Sequence, residues 1–157
     1  VKGIATAAGC QLLATCDLAV AADTATFATS GVNIGLFCST PMVALSRNVA
    51  RKHAMEMLLL GEFLPAERVA DMGLINRVVP PEDLEATSMA MAQAIAAKSS
   101  AAVKIGKRAF YEQAEMRLEE AYAFAGRTMA ENMMAQDAEA GIGAFVTKQP
   151  MPAWKGE

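Results

Sequence analysis

Val1-Lys2-Gly3-Ile4-Ala5-Thr6-Ala7-Ala8-Gly9-Cys10-Gln11-Leu12-Leu13-Ala14-Thr15-Cys16-Asp17 runs a short strand through small residues directly into a helix. The first N–H groups of a helix have no partner inside it and stand at the positive end of its dipole, so they can hold an anion or a developing oxyanion. Small residues at Ala7, Ala8 and Gly9 let a ligand approach the backbone closely. The same turn equally lets the helix pack tightly on its strand, and spacing alone leaves both readings open.

At 157 residues the chain fits one domain with a real hydrophobic core. Hydrophobic residues make up 54% but aromatics only 6%, so Ala, Leu, Val, Ile and Met must build that core, which favours helix packing over a sheet sandwich. A net charge of -3 argues against a general nucleic-acid binder. Cys10, Cys16 and Cys38 form no C-x-x-C pair and the chain has a single histidine, His53, so buried thiols in a reducing compartment are expected, with no metal site. The charge-free run 24–46 raises a membrane question, which Gly31, Asn33, Gly35, Ser39, Thr40 and Pro41 answer in favour of a loop, and no membrane span is expected. Neither a signal peptide nor a transit peptide is expected, and the initial Val1 reads as a fragment or processed product.

The pattern predicts brief strands at 17–21 and 26–28 around a turn at 22–24. Helices are expected at 41–48 and 51–60, the second ended by Gly61, and from Pro65 as first helical residue through Met72 to Gly73. An extended link at 74–79 leads to Pro80 and Pro81, which open a helix through Lys98. Ser99 or Ser100 caps the next helix; Leu118, Tyr122, Ala125, Met129 and Met133 stripe the one after; Asp137 caps the last, which reaches Lys148 before Pro150 and Pro152. The class is α/β, a short β part leading into a helical part.

The segment 3–17, the Asp23-Thr24-Ala25-Thr26-Phe27 turn, Gly35-Leu36, the Ala54-Met55-Glu56-Met57 helix ending at Leu60-Gly61, Ala70-Asp71-Met72-Gly73-Leu74-Ile75 and Gly141-Ile142-Gly143-Ala144-Phe145-Val146-Thr147-Lys148 together resemble the crotonase, or enoyl-CoA hydratase/isomerase, family. The resemblance implies a single domain over 1–157, in which 1–80 is the end of a ββα spiral core and 81–157 a helical region that builds trimers and hexamers. The family's earlier ββα turns are not in this chain. It implies an acyl-CoA ligand or substrate, no other cofactor, no nucleic acid, and homotrimeric or hexameric assembly. The family's oxyanion hole uses two backbone N–H groups: one lies in the part not present, and the other matches Ala8, where the family usually has Gly, beside Gly9. Asn33 falls in the loop that faces the acyl group, as do Thr29, Ser30 and Cys38. Phe145 and Lys148 match the aromatic and lysine that reach a neighbouring subunit's CoA. The compartment implied is cytoplasm in a bacterium and mitochondrial matrix in a eukaryote.

The two glutamates with which the family's hydratases activate water and protonate carbon match Gln11 and Gly31. Glutamine has no usable pKa and glycine has no side chain, so neither exchanges a proton at neutral pH. Asp17 and Asp23 read as turn and strand-end residues, His53 as a packing histidine, and Cys38 needs a base beside it to act. Lys98, Lys104, Lys107 and Arg108 form a basic group open to two readings, CoA phosphate contact or a solvated helix face. Met129, Met133 and Met134 read as core or subunit-interface filler, and Trp154 as a tail anchor. The function expected is an acyl-CoA protein of lyase-like family with its carboxylates missing. A non-catalytic binding or regulatory module, or a structural partner of an active paralogue, is the alternative.

Overall fold

A computed structural model describes residues 1–157. Strand β1 (Ile4–Thr6) feeds helix α1 (Ala8–Thr15), as the opening stretch predicts. Strands β2 (Val20–Ala22) and β3 (Thr26–Ala28) follow, then helices α2 (Ser39–Asn48) and α3 (Arg51–Leu60). The two residues of β4 (Leu64–Pro65) lead into α4 (Ala66–Asp71), and β5 (Arg77–Val79) comes before α5 (Leu84–Ala96). β1 and β3 lie parallel with Ile4 opposite Thr26 and Thr6 opposite Ala28, while β4 adds antiparallel to the other edge of β3. β2 and β5 form a separate parallel pair.

Several boundaries differ from the sequence reading, among them that of α5, which begins at Leu84 after a short 3₁₀ turn at Pro81–Asp83 and ends at Ala96, short of Lys98. The second strand begins at Val20 rather than residue 17, because Ala19 is taken by Asn76: its N–H donates to Asn76 Oδ1 at 2.7 Å and its carbonyl accepts from Asn76 N at 2.9 Å. α2 starts at Ser39 and carries Pro41 in its first turn, where the missing N–H leaves no hydrogen bond unmade. Pro65 is the N-cap of α4 and not its first helical residue. Gly61 does end α3, in the left-handed conformation at φ 63°.

The chain falls into two compact bodies, Val1–Ala90 and Met91–Glu157. In the first, Phe27, Leu45, Met57, Leu58 and Val69 are fully buried, and alanines such as Ala21, Ala25 and Ala66 fill the spaces between them. α1 packs chiefly on α2. The buried apolar side chains of the molecule all lie between Ala5 and Ile75.

The second body holds α6 (Ser100–Ala114), α7 (Leu118–Met133), α8 (Gln136–Thr147) and the tail. Ser99 caps α6 as expected, its Oγ accepting from Ala102 N at 3.2 Å. Asp137 does not cap α8, which starts at Gln136 with Ala135 as N-cap. Its carboxylate instead accepts from Ser99 Oγ at 2.6 Å, Lys155 N at 2.8 Å and Gly156 N at 2.9 Å, so three hydrogen bonds fasten the tail and the start of α6 to α8. Trp154 is a tail anchor: a Cβ on Gly141 would stand 3.1 Å from its ring. Met129, Met133 and Met134 are exposed, so they are not core filler within the chain. No helix is long and apolar enough to cross a membrane.

Candidate functional site

β1 and β3 end side by side at Thr6 and Ala28, and α1 starts from that edge. Between strand and helix, Ala7 takes φ 47° and ψ -113°, a conformation that side-chain-bearing residues rarely adopt. Its N–H donates to Ala28 O at 3.1 Å, and its own carbonyl accepts the first helical bond, from Gln11 N at 3.0 Å. The N–H groups of Ala8, Gly9 and Cys10 therefore have no acceptor within the helix. No side chain caps α1 and no acid lies in its first turn, while Ala8 and Gly9 are exposed. This is a donor edge with nothing negative of its own to neutralise it.

Gly31 lies in a 3₁₀ turn, Ser30–Ile34, which follows β3. The turn closes on itself through Gly35 N to Val32 O at 3.2 Å and Leu36 N to Gly31 O at 3.0 Å. A Cβ on Gly31 would overlap the Leu36 carbonyl oxygen and stand 2.9 Å from Cys38 Sγ. Asn33 uses its side-chain amide to donate to Gly61 O at 2.9 Å, tying the turn to the end of α3. Thr6 Oγ1 and Ser30 Oγ are 3.1 Å apart and bind the turn to the end of β1. The resemblance puts Ser30 in the acyl-facing loop, whereas nothing in the sequence marks Thr6, since no local pattern announces a bond across 24 residues. Gln11 is half-buried on α1.

The two buried thiols are poor nucleophiles. Burial, and then the charge of Cys38, push the Cys10 thiol from its ordinary 9.0 up to about 11. Cys10 and Cys38 are buried, whereas Cys16 is exposed and donates to Leu12 O at 3.3 Å. His53 is half-buried on α3 with an unpartnered Nδ1, and Asp17 and Asp23 are exposed.

In the second body, Phe145 is 75% exposed, which excludes a core role within the chain. Lys148 sits just past the end of α8 in the left-handed region at φ 54°, so it leaves the regular helix on which its spacing from Phe145 would place it. Lys98, Lys104, Lys107 and Arg108 do converge, around a groove of about 510 Å³ that Ile95 and Val103 also line. Arg108 is engaged with Glu112 at 2.6 Å.

The family model described as enoyl-CoA hydratase/isomerase matches residues 1–157. The chain is 51% identical over 154 residues to the mouse protein named enoyl-CoA hydratase domain-containing protein 3, mitochondrial, covering 98% of this chain and 51% of that one. Its human counterpart is 47% identical over 157 residues, covering 100% of this chain and 52% of the relative. Among solved structures, an enoyl-CoA hydratase from Mycobacterium smegmatis is 57% identical with a TM-score of 0.94, over 98% of this chain and 60% of that one. The human domain-containing protein 3 superimposes with a TM-score of 0.89 at 47% identity, over 95% of this chain and 59% of that one. The chain thus spans about half the length of the curated relatives it matches.

Proposed function

Because this chain belongs to the enoyl-CoA hydratase/isomerase family, we propose that it binds acyl-CoA thioesters at the β1–α1 edge, with the Ala8 N–H, backed by Gly9, donating to the thioester oxygen. The observation that carries this reading is Ala7. A non-glycine residue held at φ 47°, ψ -113° costs about 1–3 kcal/mol, and what that strain leaves behind is an exposed backbone donor at a helix N-terminus. Such donors in a fixed array are how a developing oxyanion is stabilised.

The same site is a poor hydratase. Acid and base groups each supply about 10² to 10⁴ in rate, and neither Gln11 nor Gly31 moves a proton. Polarising a thioester without protonating its carbon leaves binding as the main activity. Phe145 and Lys148 are read as contacts for the CoA moiety of a neighbouring copy; the exposure of Phe145 supports this. Assembly as a homotrimer or hexamer is supported by the lack of any buried apolar side chain in residues 91–157. The compartment follows the source: cytoplasm in a bacterium, mitochondrial matrix in a eukaryote, in line with mouse and human relatives named mitochondrial and a bacterial structural relative.

Two measurements on the intact protein test the reading. A 2,4-dienoyl-CoA chromophore should bind with a red-shifted absorbance, the signature of a polarised carbonyl, while crotonyl-CoA should be hydrated no faster than in a blank. No binding of any CoA ester would refute the thioester site; hydration at an enzyme-like rate would refute the argument from Gln11 and Gly31.

A further inference from the structure

Strained Ala7 must be held in place by its neighbours, and its backbone bonds act only on its own peptide groups. On one side its N–H meets Ala28 O; on the other its carbonyl meets Gln11 N, which belongs to the same helix and moves with it. α1 has no side-chain cap to lock its first turn. The one side-chain hydrogen bond made by residues 4–10 is that between the Thr6 and Ser30 hydroxyls. We infer that this hydroxyl pair is a positioning clamp: the Thr6–Ser30 bond holds Ala7 in its strained turn and thereby aims the Ala8 N–H at the ligand.

The clamp has a rigid far end. Ser30 opens the 3₁₀ turn, and Asn33 in that turn donates to the carbonyl of Gly61, the left-handed cap of α3. The turn rests on the bare face of Gly61, where a Cβ would stand 2.8 Å from Asn33 Oδ1 and Val32 Cγ1. A continuous brace therefore runs from the end of α3 through Asn33, the turn, Ser30 and Thr6 to Ala7. Thr6 suits the near end, since branching at Cβ restricts its rotamer and presets the direction of its hydroxyl. Neither residue touches a proton in flight; both act through the geometry of Ala7 and Ala8.

This inference rests on the thioester reading for its ligand arm but not for its geometric arm. Thr6→Val keeps shape and strand preference and removes the hydroxyl; Ser30→Ala breaks the same bond from the other side, so loss of fold in one leaves the other. Each should weaken 2,4-dienoyl-CoA binding by about tenfold and reduce the red shift, while Thr6→Ser retains both. Hydrogen exchange of the backbone over residues 6–11 in unliganded Thr6→Val should rise by about tenfold. Unchanged red shift and unchanged exchange in Thr6→Val and Ser30→Ala overturn the clamp. If the wild type binds no dienoyl-CoA, the thioester reading falls, and the exchange result alone upholds or overturns the brace on Ala7.

Discussion

A Cβ on Gly31 would overlap a backbone carbonyl, that of Leu36, and crowd Cys38 Sγ; backbone in a turn closed by its own hydrogen bonds does not swing aside as a flexible side chain does. Gly31→Glu should therefore lower stability by about 1–3 kcal/mol in urea unfolding and fail to restore hydration. Gln11→Glu, half-buried on α1, should fold like the wild type. A Gly31→Glu protein as stable as the wild type would show that the turn can open. The proposal that Gln11 and Gly31 stand in place of carboxylates comes from the sequence resemblance alone. That position 31 is also closed to a side chain was not legible in sequence, because the blocking atoms come from a turn whose hydrogen bonds only the folded chain displays. Cys10 makes a second prediction at this scale. Its folded-state pKa is raised, so the native protein keeps a proton that the unfolded chain releases; the resulting stability is complete below pH 9.0 and falls as pH rises from 9.0 to about 11. Urea midpoints should decline across that window by an amount on the order of 2–3 kcal/mol in total, and Cys10→Ala should flatten the decline. Alkylation of the native protein should modify exposed Cys16 first.

Among the elements, those with their own punctuation were readable. α3 runs from Arg51 to Leu60 as the apolar spacing and Gly61 indicate, and α6 starts behind its Ser99 cap. β4 has no such signal: Leu64 and Pro65 are a strand only because β3 lies beside them. Asp137 differs from its sequence expectation for a related reason: an acid near a helix start looks like a cap, and only the folded tail, whose residues 155 and 156 donate to its carboxylate, shows otherwise. Its carboxyl is held below the ordinary carboxylate range first by the Ser99 hydroxyl and then by the Lys155 N–H, against an opposing effect of burial. A depressed folded-state pKa gives stability that is present above the ordinary value of 3.8 and is lost as pH falls through the lower folded one. Tryptic cleavage at Lys155 should therefore be slow at neutral pH and fast in Asp137→Asn, whose neutral amide cannot accept all three bonds. Ser99→Ala removes the cap of α6 as well as one of these bonds and should cost about 1 kcal/mol. Equal cleavage of wild type and Asp137→Asn would mean that the carboxylate does not hold the tail.

Across the whole molecule, the two bodies differ in how they are covered. Residues 1–90 enclose a core of fully buried side chains, whereas in residues 91–157 the buried side chains are Ser99 and Asp137, both polar. Helices as short as these gain most of their stability from a buried apolar face. Yet Leu118, Tyr122, Met129 and Met133 line one stripe of α7 and are all more than half exposed. The sequence made that stripe legible but left core and interface as equal readings, because periodicity shows which residues share a face and not what covers it. Exposed apolar area on this scale marks a contact surface, and the proposed occupant is a second and third copy of this chain. Replacing Met129 and Met133 with Glu places two charges on the stripe without touching any residue of the first body. Sedimentation velocity of the intact protein should then show a shift from a trimer or hexamer to a monomer. In the wild type the thermal midpoint should rise with protein concentration, as it does when association stabilises only the folded state, and in the variant it should not. A wild type that sediments as a monomer at all concentrations would refute self-assembly through α7.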